Sequence, residues 1–186
     1  MKIYFVTSSD NKVNEIAKTL HGTCKVQQLK ADLSEIQSLD LHDIIRAKLE
    51  NAKDSHPEKT LMVEDTSFEI DVLGGLPGTF IKFFEQQVDD QGIYEMARGR
   101  QPYGNLSARA KVCIGLLHNN SVNFFDGTLE GKVVEQEGDG WGFDRIFIPH
   151  GYNERLGTLG MEVKSAISHR ARAVESLNNF LDSIKH

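Results

Sequence analysis

Cysteine and long apolar runs are scarce in this sequence. Its 186 residues include two cysteines, Cys24 and Cys113, which stand far apart and in no metal-ligand spacing. We therefore expect two reduced thiols in an intracellular protein rather than a disulfide framework. No apolar run approaches the roughly 20 residues that a membrane-spanning helix needs, and the first residues, MKIYFVTSS, lack a signal-peptide pattern. These absences predict a soluble, cytoplasmic protein without a membrane partner.

The usual signatures of zinc, P-loop and serine-hydrolase sites are also missing. The glycine-rich segment Gly74–Gly78 lacks the Lys-Ser/Thr ending of a P-loop, and no serine stands in a nucleophile elbow. Five histidines show no metal-ligand spacing: His21, His42, His56, His118 and His150. We therefore expect neither a structural zinc site nor a covalent intermediate on the protein.

Positive charge is in deficit. The chain has 21 lysines and arginines against 27 aspartates and glutamates, a formal net charge of -6. Such a surface does not attract nucleic acid or anionic lipid without specific contacts, so a nucleic-acid-binding module is the least favoured interpretation. A polyanionic ligand would need a local basic pocket.

Hydrophobic periodicity predicts an α/β fold. Helices are expected over 11–21, from Leu41 through Ala52 with an end at Pro57, over about 88–98 and over about 169–185. Strands are expected over 3–6, 24–30, 61–63, 106–117 and 122–130, with a hairpin turn at 118–121 and a tight loop at 74–78. The pattern favours one domain over 1–186, or two closely packed lobes, built as a mixed sheet flanked by helices.

Two of the predicted helices begin with cations, at the end of a helix where cations are disfavoured. Lys12 lies in the first turn of the first helix, and His169, Arg170 and Arg172 follow Ser168 at the start of the last one. The helix N-terminus carries partial positive charge, so a cation there costs about 0.3–1 kcal/mol unless an anionic ligand is present. The side chains are either solvated or face a phosphate, and the sequence leaves both interpretations open.

Two adjacent carboxylates suggest a cation site, and a lysine beside an apolar stripe suggests a cleft. Glu64, Asp65 and Thr66 directly follow the apolar segment 61–63, and ligands of open α/β sheets bind at the carboxyl ends of strands. Adjacent strand residues point to opposite faces, so one carboxylate could enter a site that the other supports. Carboxylate oxygens suit Mg²⁺, although ordinary strand-end acids are the alternative. Lys48 lies beside the apolar stripe of its helix, where it either extends into solvent or points into a cleft.

A glycine-rich loop surrounds the single tryptophan, in the order Gly140-Trp141-Gly142-Phe143-Asp144. Aromatic rings on such a loop can stack on a purine, and a nearby carboxylate can recognise the edge of the base. A loop closed by its own aromatic cluster is the alternative explanation.

Together these segments resemble the inosine/xanthosine triphosphate pyrophosphatases, which hydrolyse non-standard purine nucleoside triphosphates (ITP, dITP, XTP) to the monophosphate and pyrophosphate. The resemblance covers essentially the whole chain. Its motifs are Phe5-Val6-Thr7 through Lys12 and Glu15, Leu33-Ser34-Glu35, Val63 to Thr66, Leu73 to Gly78 continuing to Ile81-Lys82, Gly140 to Asp144, and Lys164 through Arg170.

The resemblance implies a long twisted mixed β-sheet, two α/β lobes with a central cleft, a homodimer and dependence on Mg²⁺. It implies that Glu35, Asp65 and Glu64 surround the metal and that Asp65 is catalytic. It implies a substrate-binding set made of Thr7, Ser8, Ser9, Lys12, Lys48, Thr66, Trp141, Gly142, Phe143, Asp144, Lys164, Ser168, His169 and Arg170.

The sequence departs from this family at two positions. Ser9 stands where the family usually has asparagine in the turn over the phosphates, and Arg145 follows Asp144 where proline is common. A serine can donate only one hydrogen bond and has a shorter reach, and an arginine could alter the stiffness of the loop that contacts the base. Both changes affect the expected substrate contacts.

The expected reaction is metal-assisted hydrolysis between the α and β phosphates, with Asp65 orienting or deprotonating the attacking water. One alternative is a pyrophosphatase of another modified nucleotide, similar to the Maf-type house-cleaning enzymes. The other is a nucleotide-binding protein without turnover, for which the acidic residues of the expected metal site would be superfluous.

Overall fold

The computed structural model describes residues 1–21, 24–31, 33–138 and 140–184. Its strands are β1 (Lys2–Val6), β2 (Lys25–Leu29), β3 (Leu61–Ile70), β4 (Pro77–Gly78), β5 (Leu106–His118), β6 (Ser121–Val133) and β7 (Phe147–Pro149). Its helices are α1 (Asp10–Thr19), α2 (Leu41–Ser55), α3 (Ile81–Arg100), α4 (Gly160–Ile167) and α5 (His169–Ser183). Within these ranges no helix combines the length and the hydropathy that a membrane span requires.

The strands form one open sheet in the order β2-β1-β3-β5-β6-β7, and β4 pairs with β3. Strand β1 pairs in parallel with both β2 and β3, whereas the β3–β4 and β6–β7 pairs are antiparallel. The sheet is therefore mixed, and the predicted α/β class with flanking helices is confirmed.

Contacts between residues divide the chain into two compact units. Unit 1 comprises Met1–Asp65, Val112–Gly127 and Arg170–His186, and unit 2 comprises Thr66–Lys111 and Thr128–His169. Strands β3, β5 and β6 contribute residues to both units, because three of the four unit boundaries fall inside these strands, and the fourth follows His169, the first residue of α5. Each unit has an apolar core of its own.

The strands of unit 1 bury side chains on both of their faces, because successive residues of a strand point in opposite directions. One cluster contains Ile3, Phe5 and Met62 together with residues of α1 and α5. The other contains Val6, Leu61 and Val63 together with residues of α2. We call these the α1/α5 face and the α2 face. Continuing the alternation along β3 places Glu64 on the α1/α5 face and Asp65 on the α2 face.

The core of unit 2 is built around three phenylalanines. Phe143 stacks on Phe68 of β3 with ring centroids 4.3 Å apart, and Phe147 meets Phe68 edge-on at 5.5 Å. All three rings are buried. Since aromatic pairs add about 0.5–1.5 kcal/mol beyond their buried area, this cluster fixes the segment that follows Trp141.

Strand β3 is longer than predicted. The apolar run ends at Val63, but the strand continues to Ile70, so Glu64, Asp65 and Thr66 lie inside it and not after its end. The prediction was wrong because the charged residues interrupt the apolar pattern while the backbone pairing continues: Phe68 and Glu69 pair with β4.

Helix α3 begins seven residues before the predicted start at 88. Asp89 has a left-handed backbone conformation (φ 53°) that kinks the helix, and its carboxylate accepts a hydrogen bond from the Gly92 amide at 2.9 Å. An aspartate that accepts from the third following amide acts as a local N-cap, so the sequence signals a second helix start inside α3. Helix α4 was not predicted, and it carries Lys164.

Candidate functional site

The first group of candidate residues lies at the carboxyl end of β1. Ser9 caps α1 by accepting a hydrogen bond from the Lys12 amide at 3.4 Å, and its own amide donates to the Thr7 hydroxyl at 3.1 Å. Ser8 lies between them and is exposed. The short turn from Thr7 to Ser9 therefore holds Lys12 in the first turn of α1, as predicted. The serine at position 9 caps the helix with its own side chain.

Glu64 is the centre of a buried charge cluster on the α1/α5 face. Its two oxygens accept hydrogen bonds from Arg170 at 2.7 and 3.0 Å, and the Lys12 ammonium lies 3.1 Å from the same carboxylate. Arg170 also forms a short hydrogen bond with Glu15. The cations at the starts of α1 and α5 thus converge on one carboxylate of β3.

Desolvation and ion pairing compete at this cluster. Burial of Glu64, which is 4% exposed, would raise its pKa, but the charges of Arg170 and Lys12 outweigh burial and hold the pKa far below the usual range. Burial likewise opposes the charge of Arg170, yet Glu64 and Glu15 raise its pKa above the ordinary value. Both groups are therefore ionised at neutral pH, and Glu64 acts as the counter-ion of two cations.

A second cluster lies on the α2 face, where Lys48 projects toward β3. Its ammonium contacts Asp65 at 2.7 Å and Glu35 at 2.8 Å. Burial of Lys48 (7% exposed) disfavours its charge, but Asp65 and Glu35 more than compensate and raise its pKa. The Lys48 side chain therefore does not extend into solvent, and its contact with a ligand stays a prediction.

These residues suit Mg²⁺ by their chemistry. Glu35 and Asp65 supply hard carboxylate oxygens, and both lie within hydrogen-bonding distance of one cation, the Lys48 ammonium. Mg²⁺ is commonly bound through one or two carboxylates together with substrate phosphates, and this pair fits that chemistry. Glu64 lies on the other face of β3 with both oxygens directed at Arg170 and Lys12.

The second group of candidate residues lies in unit 2. The Lys164 ammonium donates to the Asp144 carboxylate at 2.5 Å and lies 5.1 Å from the centre of the Trp141 ring. Asp144 and Lys164 are buried, whereas Trp141 remains 38% exposed. A cation over an indole ring is attracted to its π face, so Lys164 holds both the carboxylate and the aromatic platform in place.

Phe143 and His169 complete this group. Their rings are 5.8 Å apart and tilted by 42°, and both residues are buried. Gly142 adopts a positive φ of 62° that favours glycine, and a Cβ there would lie 3.1 Å from a carboxylate oxygen of Glu85. The predicted loop therefore forms a compact group with Lys164 and His169. Phe143 also packs into the aromatic core, as the alternative explanation of the loop expects, and stacking on a purine stays a prediction.

The remaining candidates occupy neighbouring positions. Thr66 follows Asp65 within β3. Ser168 is buried between α4 and α5, and its amide donates to the Lys164 carbonyl at 3.0 Å. Arg170 was expected near the substrate, and the structure places its guanidinium against Glu64 and Glu15.

Charged residues beside the Trp141 loop make contacts that no local sequence pattern indicated. Burial, and then the charge of Asp90, raise the pKa of Glu85 to about 7, although the Phe143 backbone hydrogen bond opposes this shift. Arg145, one of the two family departures, pairs with the buried carboxylate of Asp90 at 2.7 Å. Glu85 was overlooked because α3 was predicted to begin after it.

The sequence is similar to that of proteins of known family. A model of the Ham1 family matches residues 3–180. A dITP/XTP pyrophosphatase of Ignicoccus hospitalis is 34% identical over 92% of this chain and 92% of its own. An inosine triphosphate pyrophosphatase of Encephalitozoon intestinalis is 34% identical over 98% of this chain and 93% of its own.

Solved structures agree on the fold. A HAM1 protein from Coxiella burnetii has a TM-score of 0.85 at 23% identity, covering 98% of this chain and 99% of that one. The Staphylococcus aureus Ham1 protein has a TM-score of 0.81 at 22% identity, again over 98% and 99% of the two chains. The family match and the sequence relatives together establish that the chain belongs to the Ham1 family.

Proposed function

We propose that this protein hydrolyses non-standard purine nucleoside triphosphates, such as ITP, dITP and XTP, to the monophosphate and pyrophosphate. Relatives named as dITP/XTP and inosine triphosphate pyrophosphatases are similar to it over nearly its whole length. The observation that carries the proposal is the buried Lys48 ammonium held between Asp65 and Glu35. The two carboxylates supply the negative charge that a metal ion requires, and the ammonium supplies the positive charge that a polyphosphate requires.

In this proposal the acidic and basic side chains of unit 1 bind the phosphates and their metal ion. Glu35 and Asp65 would hold Mg²⁺, which when bound neutralises negative charge on phosphate oxygens. Lys48 lies against the same two carboxylates, where its ammonium would contact a phosphate oxygen of the bound nucleotide. Lys12 supplies a second cation at the start of α1, where backbone amides also favour an anion.

Asp65 is the group we assign to the attacking water. Its carboxylate orients the water or accepts its proton as the oxygen attacks phosphorus and the bond between the α and β phosphates breaks. Pyrophosphate is the leaving group, and cations such as Lys48 and Lys12 stabilise its charge. Glu64 lies on the face of β3 opposite to Asp65 and keeps Lys12 in place. We therefore assign Glu64 a supporting role and not the role of a metal ligand that the sequence predicted.

The groups of unit 2 handle the base. Trp141 offers a partly exposed ring for stacking, and Lys164 lies over it as a hydrogen-bond donor whose position Asp144 fixes. Hypoxanthine and xanthine carry a keto oxygen at position 6, which accepts a hydrogen bond, whereas adenine carries an amino group, which cannot. A buried donor left without an acceptor discriminates by several orders of magnitude, so we expect adenosine triphosphate to be a poor substrate.

A substrate panel tests the reaction. The protein is incubated with Mg²⁺ and, separately, with ITP, XTP, ATP, GTP and a modified pyrimidine triphosphate, and the products are identified. We expect pyrophosphate and monophosphate from ITP and XTP with kcat/KM at least about 100-fold above ATP. Preference for the pyrimidine would favour a Maf-like enzyme, and intact triphosphate after long incubation would favour a binding protein. Either result would contradict the proposal.

The role of Asp65 is tested by Asp65→Asn. We expect kcat to fall about 10²–10⁴-fold with little change in nucleotide affinity, because the amide keeps the volume but cannot accept the proton. Asp71→Asn is the matched control, since Asp71 pairs with Arg109 in unit 2 and has no part in the proposed chemistry. Near-normal turnover of Asp65→Asn would remove Asp65 from the mechanism.

Three further expectations stay predictions. Chelator titration can test the dependence on Mg²⁺, light scattering can test the homodimer, and cell fractionation can test the cytoplasmic location.

A further inference from the structure

A second group of metal-ligating side chains lies on the α2 face, apart from the proposed phosphate groups. His42, Cys113 and Asp126 bring an imidazole nitrogen, a thiol sulphur and a carboxylate oxygen within 4.8 Å of one another. The His42 Nε2 atom lies 2.8 and 3.0 Å from the two Asp126 oxygens. The proposed function assigns none of these residues a role.

The three residues come from three elements that the fold brings together. His42 lies in the first turn of α2, Cys113 in β5 and Asp126 in β6. Cys113 belongs to the apolar cluster that packs on α2, and Phe124 packs against the same cluster. Since Asp126 is two residues after Phe124 in β6, strand alternation places it on that face as well. Separations of 71 and 13 positions along the chain explain why no ligand spacing is visible in the sequence.

The site is fixed at its base and open at its rim. The His42 ring stacks on Phe124 with centroids 4.4 Å apart and planes within 6° of parallel, so its orientation is set before any ion arrives. Cys113 is fully buried, whereas the side chains of His42 and Asp126 are 42% and 56% exposed. The imidazole and the carboxylate are therefore the two ligands that solvent reaches, and the sulphur lies beneath the surface.

We propose that His42, Cys113 and Asp126 bind a zinc ion, with solvent in the fourth position. A thiolate and an imidazole select Zn²⁺ over Mg²⁺ or Ca²⁺, which prefer oxygen ligands alone. Zinc bonds of about 2.0–2.2 Å to nitrogen and oxygen place these atoms ~3.3 Å apart in a tetrahedral site, so the pair needs to open by only a few tenths of an ångström. On binding, the S–H bond breaks, the sulphur–zinc bond forms and the proton passes to solvent.

An ordinary ion pair between His42 and Asp126 is the competing explanation, and cobalt binding separates the two. Co²⁺ is titrated into the metal-free full-length protein, and the thiolate-to-cobalt charge-transfer band is followed together with displacement by Zn²⁺. We expect one ion per chain and a band that Zn²⁺ abolishes. Cys24→Ser is the matched control, because it removes the other cysteine and should keep the band. Cys113→Ser should lose it.

Asp126→Asn tests the proposal even if the Cys113 variant misfolds, because Asp126 is exposed and its replacement leaves the core intact. We expect its affinity for Zn²⁺ to fall at least tenfold and the rise in melting temperature with Zn²⁺ to shrink accordingly. The proposal is overturned if the wild type gives no band, if Cys24→Ser loses it, or if Asp126→Asn binds zinc as the wild type does. None of these measurements depends on triphosphate hydrolysis.

Discussion

The buried Glu64 carboxylate offers a sharp test of the charge cluster on the α1/α5 face. Replacing it by Glu64→Gln keeps the volume of the side chain but removes the negative charge that Arg170 and Lys12 share. Arg170 is 2% exposed and cannot reach water for compensation. The variant therefore leaves a buried cation with one carboxylate, Glu15, in place of two.

The expected loss follows from the geometry. Removing one partner of a buried ion pair costs about 3–5 kcal/mol. Glu15 still neutralises Arg170, and the Lys12 side chain is 19% exposed and can turn to solvent, so we expect the lower part of that range. A loss of about 3 kcal/mol would lower the urea midpoint by about 1–3 M at the usual slopes.

Urea unfolding at pH 7, followed by fluorescence and circular dichroism, measures the loss. The matched control is Glu69→Gln on the same strand, where Lys111 and Arg109 lie 2.8 and 3.4 Å away and are more exposed. We expect the control to lose less than about 1 kcal/mol, because exposed pairs contribute little. Equal losses for the two variants would refute the argument that burial makes the Glu64 cluster strong.

The same variant has a predictable pH dependence. The pKa of Glu64 is lowered from its ordinary value of 4.5, so its contribution to stability is complete above that pH and is lost as pH falls toward the folded-state pKa. The difference in unfolding free energy between the wild type and Glu64→Gln should therefore be constant from pH 6 to 8 and shrink below about pH 4.5. A difference that grows on acidification would contradict the ionised state of Glu64.

Two further predictions concern Glu85 and Gly115. Burial and Asp90 raise the pKa of Glu85 to about 7, so ionisation of Glu85 destabilises the fold as pH rises from about 4.5 through 7. The melting temperature of Glu85→Gln should therefore exceed that of the wild type at pH 8 but not at pH 4.5. A difference in melting temperature that does not depend on pH would contradict this. A Cβ at Gly115 would lie 2.2 Å from Ile45 and 3.0 Å from Leu49 of α2. Gly115→Ala should therefore lower the free energy of unfolding, measured in urea, by about 1–3 kcal/mol. The same variant should reduce turnover, because a shift of α2 displaces Lys48. Gly99→Ala in α3, where a Cβ meets nothing within 4 Å, should instead be neutral or stabilising, and equal behaviour of the two alanines would refute the packing argument.

The sequence predicted features that depend on neighbours along the chain. Ser9 and Lys12 at the start of α1, and the segment from Trp141 to Asp144, lie where their local patterns placed them. The alternation of Glu64 and Asp65 between two faces also follows from the strand period alone. Each of these conclusions needs only the residues within one turn or one strand.

Features that depend on distant partners were not predictable. Arg170 meets Glu64 across 106 positions, and which helix covers which face of β3 decides that pairing. The continuation of β3 to Ile70 depends on β4, and the early start of α3 is hidden by the kink at Asp89. A local pattern specifies the orientation of a side chain but not the charge that it meets.

This limit changes what the cations at the helix starts mean. Their presence suggested a missing anion, and the structure supplies one internally: Glu64 faces both Lys12 and Arg170. The two cations are nevertheless different, because Arg170 is enclosed by Glu64 and Glu15 whereas part of the Lys12 side chain reaches solvent. Arg170 therefore stabilises Glu64, and Glu64 holds Lys12. Of these three charged side chains, Lys12 is the one that can contact a phosphate. If this order is right, Lys12→Met weakens triphosphate binding with little loss of stability, whereas Arg170→Met destabilises the fold.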